Sequence, residues 1–231
     1  MNKEKFKDLG IVIPVREGST RIKDKVVLPF TKGLNLLEWK IEQLKKIIPH
    51  ENIYVSTDSE KLKKIATERG VSIHHRDPYL SKGHIAPFSQ IITGIVKDIP
   101  LPHIAWVTVV VPLMKPEEYE NGFNKYFEKV VSEKTHDSLV SVNLLKEYFW
   151  DEEKPLNYKA DKNHTVSQDL PNIYRVTNGL YMMPKKKILE KEYFLGKNPF
   201  KYIVCKMAGI DIDEWEDYEF SLAMLNFYDE K

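Results

Sequence analysis

The stretch LGIVIPVREGSTRIKDK, residues 9–25, joins an apolar run directly to a basic loop. The run over residues 9–15 is short and rich in β-branched side chains, which predicts a fully buried strand. In the loop that follows, Gly18 permits a turn that aims backbone N–H groups at an anion, and Ser19 and Thr20 add hydroxyl donors. The stretch therefore predicts a strand that delivers an anion-binding loop to the end of a sheet.

Four cations crowd this loop: Arg16, Arg21, Lys23 and Lys25. Because like charges repel, their crowding predicts that a bound anion neutralises them. Arg16 and Arg21 can each hold two phosphate oxygens, and Lys25 supplies a point charge. The spacing matches neither a Walker A loop nor the G-x-G-x-x-G motif. A solvated basic loop is the alternative interpretation.

Strand-like and helical patterns alternate outward from this stretch. The strand patterns cover residues 52–59, 71–75, 104–112 and 137–142, and the helical patterns cover residues 34–47, 60–70, 88–96 and 117–131. This alternation predicts an α/β fold with a doubly wound, mostly parallel sheet that binds ligands at the carboxyl ends of its strands. We expect one domain over residues 1–231, closed by a helix that Asp213 caps.

Residues 143–175 interrupt the alternation with a polar, aromatic and irregular segment. A segment of that length without a clear helix indicates function, an interface or disorder. Its aromatic side chains, among them Tyr148 and Trp150, argue against disorder. We therefore interpret residues 143–175 as an excursion inserted within the domain.

Composition excludes several classes of protein. The formal net charge is +1, which gives no electrostatic reason to expect a nucleic-acid or membrane partner. No apolar run approaches the roughly 20 residues of a membrane span. The single cysteine, Cys205, cannot form an intramolecular disulfide, and the N-terminal residues carry no apolar signal segment, so we expect a cytoplasmic protein.

Five motifs, in order along the chain, resemble those of one enzyme family. They are IPVREGSTRIKDKV, IYVSTDSEKLKKIATERGV, HHRDPYLS, SQDLPNIYRVTNGLYMM and GIDIDEWEDYEFSLAML. Together they resemble the cytidylyltransferases that activate acidic sugars, namely the CMP-acylneuraminate (sialic acid) synthetases and their CMP-Kdo relatives. The resemblance implies a Rossmann-like nucleotidyltransferase fold, transfer of CMP from CTP to an acidic sugar with release of pyrophosphate, and a homodimer whose arm is the excursion.

The resemblance also implies roles for individual residues. The nucleotide would be held by Arg16, Gly18, Ser19, Arg21, Lys25 and Arg76, and catalysis would depend on Arg16, Arg21, Lys25 and Arg175. Asn178 would lie near the acceptor, and Asp211 and Asp213 would hold Mg²⁺, which favours a few carboxylates together with phosphate oxygens. A pair of helix-capping residues is the alternative interpretation of the two aspartates.

Several positions depart from the family pattern, mostly on the acceptor side. Val26 stands where the family has asparagine, Thr108 where it has a sugar-contacting glutamine, and Met114 where it has arginine. His84 lies in another altered segment and is either a replacement contact or an ordinary loop histidine. These changes predict a different acceptor, such as another nonulosonic acid, a phosphonate or another small acid. Two further hypotheses remain open: a nucleotide-binding subunit that has lost catalysis, and a transferase for UMP or another nucleotide.

Overall fold

The computed structural model describes residues 3–82 and 85–228. Nine strands run in chain order as follows: β1 Leu9–Pro14, β2 Pro29–Thr31, β3 Leu34–Asn35, β4 Ile53–Thr57, β5 Ser72–His75, β6 His103–Trp106, β7 Ser138–Leu145, β8 Ile173–Pro184 and β9 Pro199–Ile203. Seven α-helices accompany them: α1 Leu36–Lys45, α2 Glu60–Glu68, α3 Pro78–Ser81, α4 Phe88–Val96, α5 Pro116–Tyr126, α6 Lys185–Lys191 and α7 Trp215–Tyr228. These counts refer to the two described ranges.

Seven of these strands form one sheet in the order β5-β4-β1-β6-β8-β7-β9. The neighbours β5, β4, β1 and β6 are parallel, as are β7 and β9, whereas β8 runs antiparallel to both β6 and β7. The remaining strands, β2 and β3, form a small separate hairpin. The predicted α/β fold with a mostly parallel, doubly wound sheet is confirmed.

Helices cover both faces of the sheet, as the alternating side chains of β1 show. Ile11 and Ile13 pack in one apolar cluster that includes Leu37 of α1. Val12, between them, packs on the opposite face in a cluster that includes Ile92 of α4. Burial on both faces explains why β1 reads as an unbroken apolar run. Within the described ranges, no helix has the length and apolar character needed to cross a membrane.

Local sequence signals explain where the first two long helices begin and end. Asn35 caps α1 through a reciprocal box, because its side chain accepts from the N–H of Glu38 while the Glu38 carboxylate accepts from the N–H of Asn35. Ser59, rather than Asp58, caps α2 by accepting from the N–H of Leu62. Helix α2 ends before Gly70, whose φ of +66° suits glycine.

The predicted strand over residues 104–112 is wrong beyond Trp106, where β6 ends. The apolar residues that follow are still buried, but they lie in a loop whose carbonyl groups bond to side chains of α1. Trp39 and Gln43 both donate to the carbonyl of Pro112, and the buried Lys40 amino group donates to that of Val111. Because side chains satisfy these carbonyl groups, the loop can be buried without joining the sheet.

The closing helix is not capped by Asp213. It begins at Trp215, and the Asp217 carboxylate reaches back to accept from the N–H groups of Asp213 and Glu214. The pattern of residues 202–207 predicts a strand that includes Cys205, but Cys205 is exposed and follows β9. The irregular part of the predicted excursion spans residues 146–172, between β7 and β8.

Helix α7 brings the acidic segment before it next to the first loop of the sheet. The N–H of the buried Ile212 donates to the carbonyl of Val110 over 2.8 Å, and the Tyr218 hydroxyl donates to the carbonyl of Pro29. These contacts join the end of the chain to the loop after β6 and to the hairpin after the first loop. They determine where Asp211 and Asp213 lie.

Candidate active site

The basic loop after β1 meets the acidic segment 211–213 directly. The Arg21 guanidinium donates to Asp213 Oδ1 over 2.7 Å. The Lys25 ammonium donates to the carbonyl of Ile212 over 2.7 Å and lies 3.5 Å from the same Asp213 oxygen. Lys25 is only 8% exposed, so these partners compensate for the burial of its charge. Three predicted site residues, far apart in the sequence, are thus in one cluster.

Asp211 lies in the same segment with one carboxylate oxygen bonded and the other bare. Its Oδ2 accepts from the Asn178 side-chain amide over 2.8 Å, whereas its buried Oδ1 has no partner within the described part of the chain. Burial raises the pKa of the Asp211 carboxyl, opposed by the hydrogen bond from Asn178. Nearby Asp213 raises that pKa further. A buried, unpartnered carboxylate oxygen beside a second carboxylate has the chemistry of a cation ligand.

A short hydrogen-bond chain holds Asn178 in place. Its φ is +58°, a conformation that asparagine tolerates better than most residues. The Tyr181 hydroxyl donates to its side-chain oxygen over 2.6 Å, and the Thr108 hydroxyl donates to its carbonyl over 2.8 Å. The structure therefore places Thr108 and Asn178 together, and both bear on the orientation of Asp211. Sequence reasoning gave no role to Tyr181, although it lies in the motif that contains Asn178.

Arg16 lies where three openings of the surface meet. One small opening also involves Gly18, Ser19 and Val26. A second, of about 320 Å³, is lined by Asp58, Ser59 and Ser81 among others, and a third, of about 380 Å³, is lined by Arg76, Thr108, Asn178 and Tyr181 among others. Arg16 can therefore contact ligands in more than one of these spaces.

Gly18 and Ser81 add detail to these openings. The φ of Gly18 is +77°, and no atom lies within 4 Å of the position a Cβ would take. Glycine is therefore favoured here by the backbone conformation and not by a lack of room for a side chain. Ser81 has a buried hydroxyl without a partner in the described ranges, and sequence reasoning gave it no role. Unbonded hydroxyls of this kind suit recognition of a polar ligand.

Arg76 is buried at the edge of the third opening. Its Nε donates to the Ser56 hydroxyl over 3.2 Å, and its Nη2 donates to the Ser56 carbonyl over 2.5 Å. Burial lowers the pKa of the Arg76 guanidinium to about 10, which leaves it charged at neutral pH. A desolvated cation that lines a cavity is suited to hold an anionic ligand.

Aromatic rings form one wall of the third opening. Phe194 contacts the ring of Tyr181 at 4.3 Å between centroids, that of Trp106 at 5.5 Å and that of Phe88 at 5.6 Å. All four side chains line the opening. The space thus combines two arginines with an aromatic surface, which suits an acid that also has an apolar part.

Two predicted site residues are not placed in this cluster. Arg175 donates to the Asn143 side-chain oxygen over 2.6 Å and to the carbonyl of Gly209 over 3.2 Å. It is absent from the lining of the three openings described above. His84, together with Gly83, lies outside the described residues.

The two aspartates fit Mg²⁺ only as part of a larger set of ligands. Among the described residues, no group of three or more histidine, cysteine or acidic side chains could hold a metal ion. Asp211 Oδ1 and the Asp213 carboxylate could supply two oxygens, and the rest would come from phosphate and water. The donor set is the one expected for a metal that arrives with a nucleotide.

Known proteins resemble this chain over nearly its whole length. A family model described as Cytidylyltransferase matches residues 10–223. The chain is 24% identical over 225 residues to an N-acylneuraminate cytidylyltransferase of Streptococcus agalactiae, covering 94% of this chain and 53% of that protein. It is 21% identical over 213 residues to post-translational flagellin modification protein B of Campylobacter coli, covering 90% of each. The chain thus spans about half the length of the streptococcal relatives it matches.

The fold is also found among solved structures. A CMP:2-keto-3-deoxy-manno-octonic acid synthetase complexed with CTP matches with a TM-score of 0.62 at 11% identity, covering 95% of this chain and 98% of that chain. At this identity the likeness establishes the fold alone. The family model, however, covers nearly the whole chain, and on that match the chain belongs to the cytidylyltransferase family.

Proposed function

We propose that this protein transfers CMP from CTP to an acidic, sialic-acid-like sugar in a Mg²⁺-dependent reaction. The observation that carries the proposal is the cluster in which Arg21 and Lys25 meet Asp213 beside the bare oxygen of Asp211. Such a pairing of fixed cations with carboxylates serves a triphosphate that brings a metal. Family membership supports the choice of CTP.

In this reaction an acceptor hydroxyl oxygen attacks the α-phosphorus of CTP. The bond from that phosphorus to the bridging oxygen breaks, pyrophosphate leaves with its electron pair, and the hydroxyl proton passes to solvent. The protein mainly has to position the two substrates and neutralise charge. Arg16, Arg21 and Lys25 would contact the phosphates, and the turn at Gly18 would present backbone N–H groups to them.

Asp211 and Asp213 would hold the Mg²⁺. When bound, the ion neutralises phosphate charge and favours departure of pyrophosphate. Asn178 holds one oxygen of Asp211, which leaves the other free to turn to the ion. Arg21, now paired with Asp213, would exchange that carboxylate for phosphate oxygens when the nucleotide enters.

The third opening is the proposed acceptor site. Arg16 provides positive charge for a carboxylate, and the aromatic wall of Trp106, Tyr181 and Phe194 provides an apolar surface. Arg76, which also lines this opening, would help to hold the nucleotide beside the acceptor. The family's arginine position is occupied by Met114, which is fully buried and cannot contact an acceptor. This supports an acceptor bound through other residues than in the sialic acid synthetases, and a phosphonate or another small acid is the alternative.

We further propose that the protein is a homodimer formed through residues 146–172. Trp150, Leu156 and Val166 in this segment are each more than half exposed, at 57%, 60% and 51%. Exposed apolar groups at this density are typical of interfaces. The segment is nevertheless ordered by its own contacts, such as the edge-to-face contact between the rings of Tyr148 and Tyr158.

Release of pyrophosphate tests the proposal. The protein is incubated with CTP, Mg²⁺ and a panel of nonulosonic acids, Kdo and phosphonates, with a sialic acid synthetase run in parallel. We expect release with at least one acidic sugar, and a loss of release when EDTA removes the metal. If calorimetry shows that CTP binds but no acceptor yields pyrophosphate, the protein is a nucleotide-binding subunit instead. Competition by UTP, ATP and GTP for the same site tests the choice of base.

A further inference from the structure

A buried hydrogen-bond chain connects Arg76 to a second cavity of the molecule. The register of β4 and β5 pairs Ser56 with His74, and the Ser56 hydroxyl lies 2.9 Å from His74 Nδ1. On one side the Ser56 hydroxyl accepts from Arg76 Nε over 3.2 Å. On the other, His74 Nε2 lies 3.3 Å from Asp98 Oδ2. His74 and Asp98 line a separate cavity of about 560 Å³.

Only one arrangement of protons satisfies every member of this chain. Arginine Nε always donates, so the Ser56 oxygen accepts and keeps its own proton to give away. Among the described contacts of the Ser56 hydroxyl, His74 Nδ1 is the one atom that can accept that proton, so it must be bare. The other ring nitrogen then carries the hydrogen that is donated to Asp98. The intact chain thus requires a neutral His74.

Protonation of His74 breaks this arrangement. The Ser56 proton loses its acceptor, and an imidazolium then lies one hydroxyl group away from the Arg76 guanidinium. Burial lowers the pKa of His74, and the Asp98 carboxylate opposes that effect. The charges of Arg76 and His75 lower it further. The other charged groups in the cavity that His74 lines are Asp77, Lys97 and Glu192.

We propose that His74 is a positioning residue that holds Arg76 in its ligand-binding orientation through Ser56 and thereby makes nucleotide affinity depend on pH. The part concerning affinity rests on the proposed function, in which Arg76 helps to hold the nucleotide. The part concerning orientation rests on geometry alone. Ser56 and His74 are 0% and 7% exposed, so solvent cannot substitute for either partner.

Two uncharged substitutions of His74 test its hydrogen bond to Ser56 and its hydrogen bond to Asp98 one at a time. In His74→Asn, the side-chain oxygen falls near the position of Nδ1, so Ser56 keeps an acceptor that does not titrate. In His74→Gln, the amide reaches toward Asp98 and Ser56 loses its acceptor. Asp98→Asn keeps the oxygen that His74 needs but removes the charge that stabilises the imidazolium.

His103 provides a matched control. It is a half-buried histidine whose ring lies 2.9 Å from the Tyr126 hydroxyl, and burial lowers its pKa as well. It has no described contact with Ser56 or Arg76. His103→Asn therefore removes a comparable histidine and leaves the hydrogen-bond chain from Arg76 to Asp98 intact.

The experiment measures CTP affinity by calorimetry between about pH 5 and 8 for each variant. We expect the wild type to bind more weakly as the pH falls. In His74→Asn, CTP affinity should fall less as the pH decreases. In Asp98→Asn, the fall in CTP affinity should occur at lower pH than in the wild type. His74→Gln should bind about tenfold more weakly even at the alkaline end, because one bond that orients Arg76 is missing. The phosphates of CTP also titrate, but they do so equally in all variants, so the differences report on His74.

A second readout does not involve CTP. In proton–nitrogen NMR, the Nε–H of Arg76 should exchange slowly with water in the wild type and in His74→Asn, and its chemical shift should differ from that of an exposed arginine. In His74→Gln, this hydrogen should exchange faster. If the wild type fails to bind CTP while these NMR signals behave as expected, the proposed function falls and the positioning role stands. If His74→Gln matches the His103→Asn control in both readouts, the positioning role is overturned.

Discussion

Arg21 and Asp213 form an ion pair of 2.7 Å across 192 residues of sequence. Both side chains are about half exposed, at 56% and 46%, so solvent screens their attraction and the pair contributes little to stability. In the function proposed above, each partner of the pair is a group that a metal–triphosphate complex would contact.

Replacing Arg21 by alanine should separate activity from stability. We expect pyrophosphate release to fall by about 10²- to 10³-fold, the effect of removing one preorganised donor to a developing charge. The free energy of unfolding should change by less than about 1 kcal/mol, because the ion pair is exposed. Urea unfolding and initial rates measure the two quantities. Lys23→Ala, in the same loop, serves as the control, and near-normal turnover by Arg21→Ala would contradict the proposed site.

Asp211→Asn should stabilise the fold at neutral pH while it removes activity. Burial raises the pKa of Asp211, so between its ordinary pKa and the raised one the folded chain holds a proton at this carboxyl that the unfolded chain has released. Stability is therefore lost as the pH rises through the raised pKa, and at neutral pH the buried charge opposes folding. Asparagine removes that charge and can still accept from Asn178.

The measurement is Tm in EDTA and again in excess Mg²⁺ with CTP. We expect Asp211→Asn to have the higher Tm in EDTA and to gain less from Mg²⁺ and CTP than the wild type does. Asp213→Asn is the matched control, because it removes the negative charge that Arg21 and Lys25 face and should not raise Tm. An unchanged response of Asp211→Asn to the metal would show that Asp211 is not a ligand.

Lys40 should make the stability of the protein depend on alkaline pH. It is fully buried, and burial lowers its pKa well below 10.5. Between the lowered pKa and 10.5 the unfolded chain binds more protons than the folded chain, so the free energy of unfolding rises with pH across this window. Urea unfolding at neutral and alkaline pH should show this rise in the wild type and its loss in Lys40→Met.

Met114→Arg should not restore the family's acceptor contact. Met114 is fully buried in the core, and an arginine there would place an unpaired charge among apolar groups. We expect a loss of about 3 kcal/mol or more, or failure to fold. Thr108 also departs from the family pattern, but its side chain lines the third opening, so Thr108→Gln should remain folded. A stable Met114→Arg protein with a new acceptor would contradict this placement of the loop.

The sequence predicted those elements whose cause is local. The helix Phe88–Val96 was predicted to the residue, because its apolar periodicity and the proline before it are carried by one short segment. Strand β1 and its basic loop were predicted for the same reason. Where two local signals compete, the sequence does not decide between them: Asp58 and Ser59 can both cap a helix, and only the geometry of the turn selects Ser59.

The remaining features depend on contacts between distant segments. The apolar run after Trp106 has the pattern of a strand, but side chains of α1, Lys40 and Gln43, donate to its carbonyl groups and hold it as a buried loop. The chain from Arg76 to Asp98 requires the register of β4 against β5, which no single segment encodes. The sequence by itself determined the α/β fold and identified the residue types of the site, because periodicity and motif spacing are properties of neighbouring residues. The tertiary structure alone decided which carboxylate meets which cation, because hydrogen bonds depend on distances that only the folded chain defines.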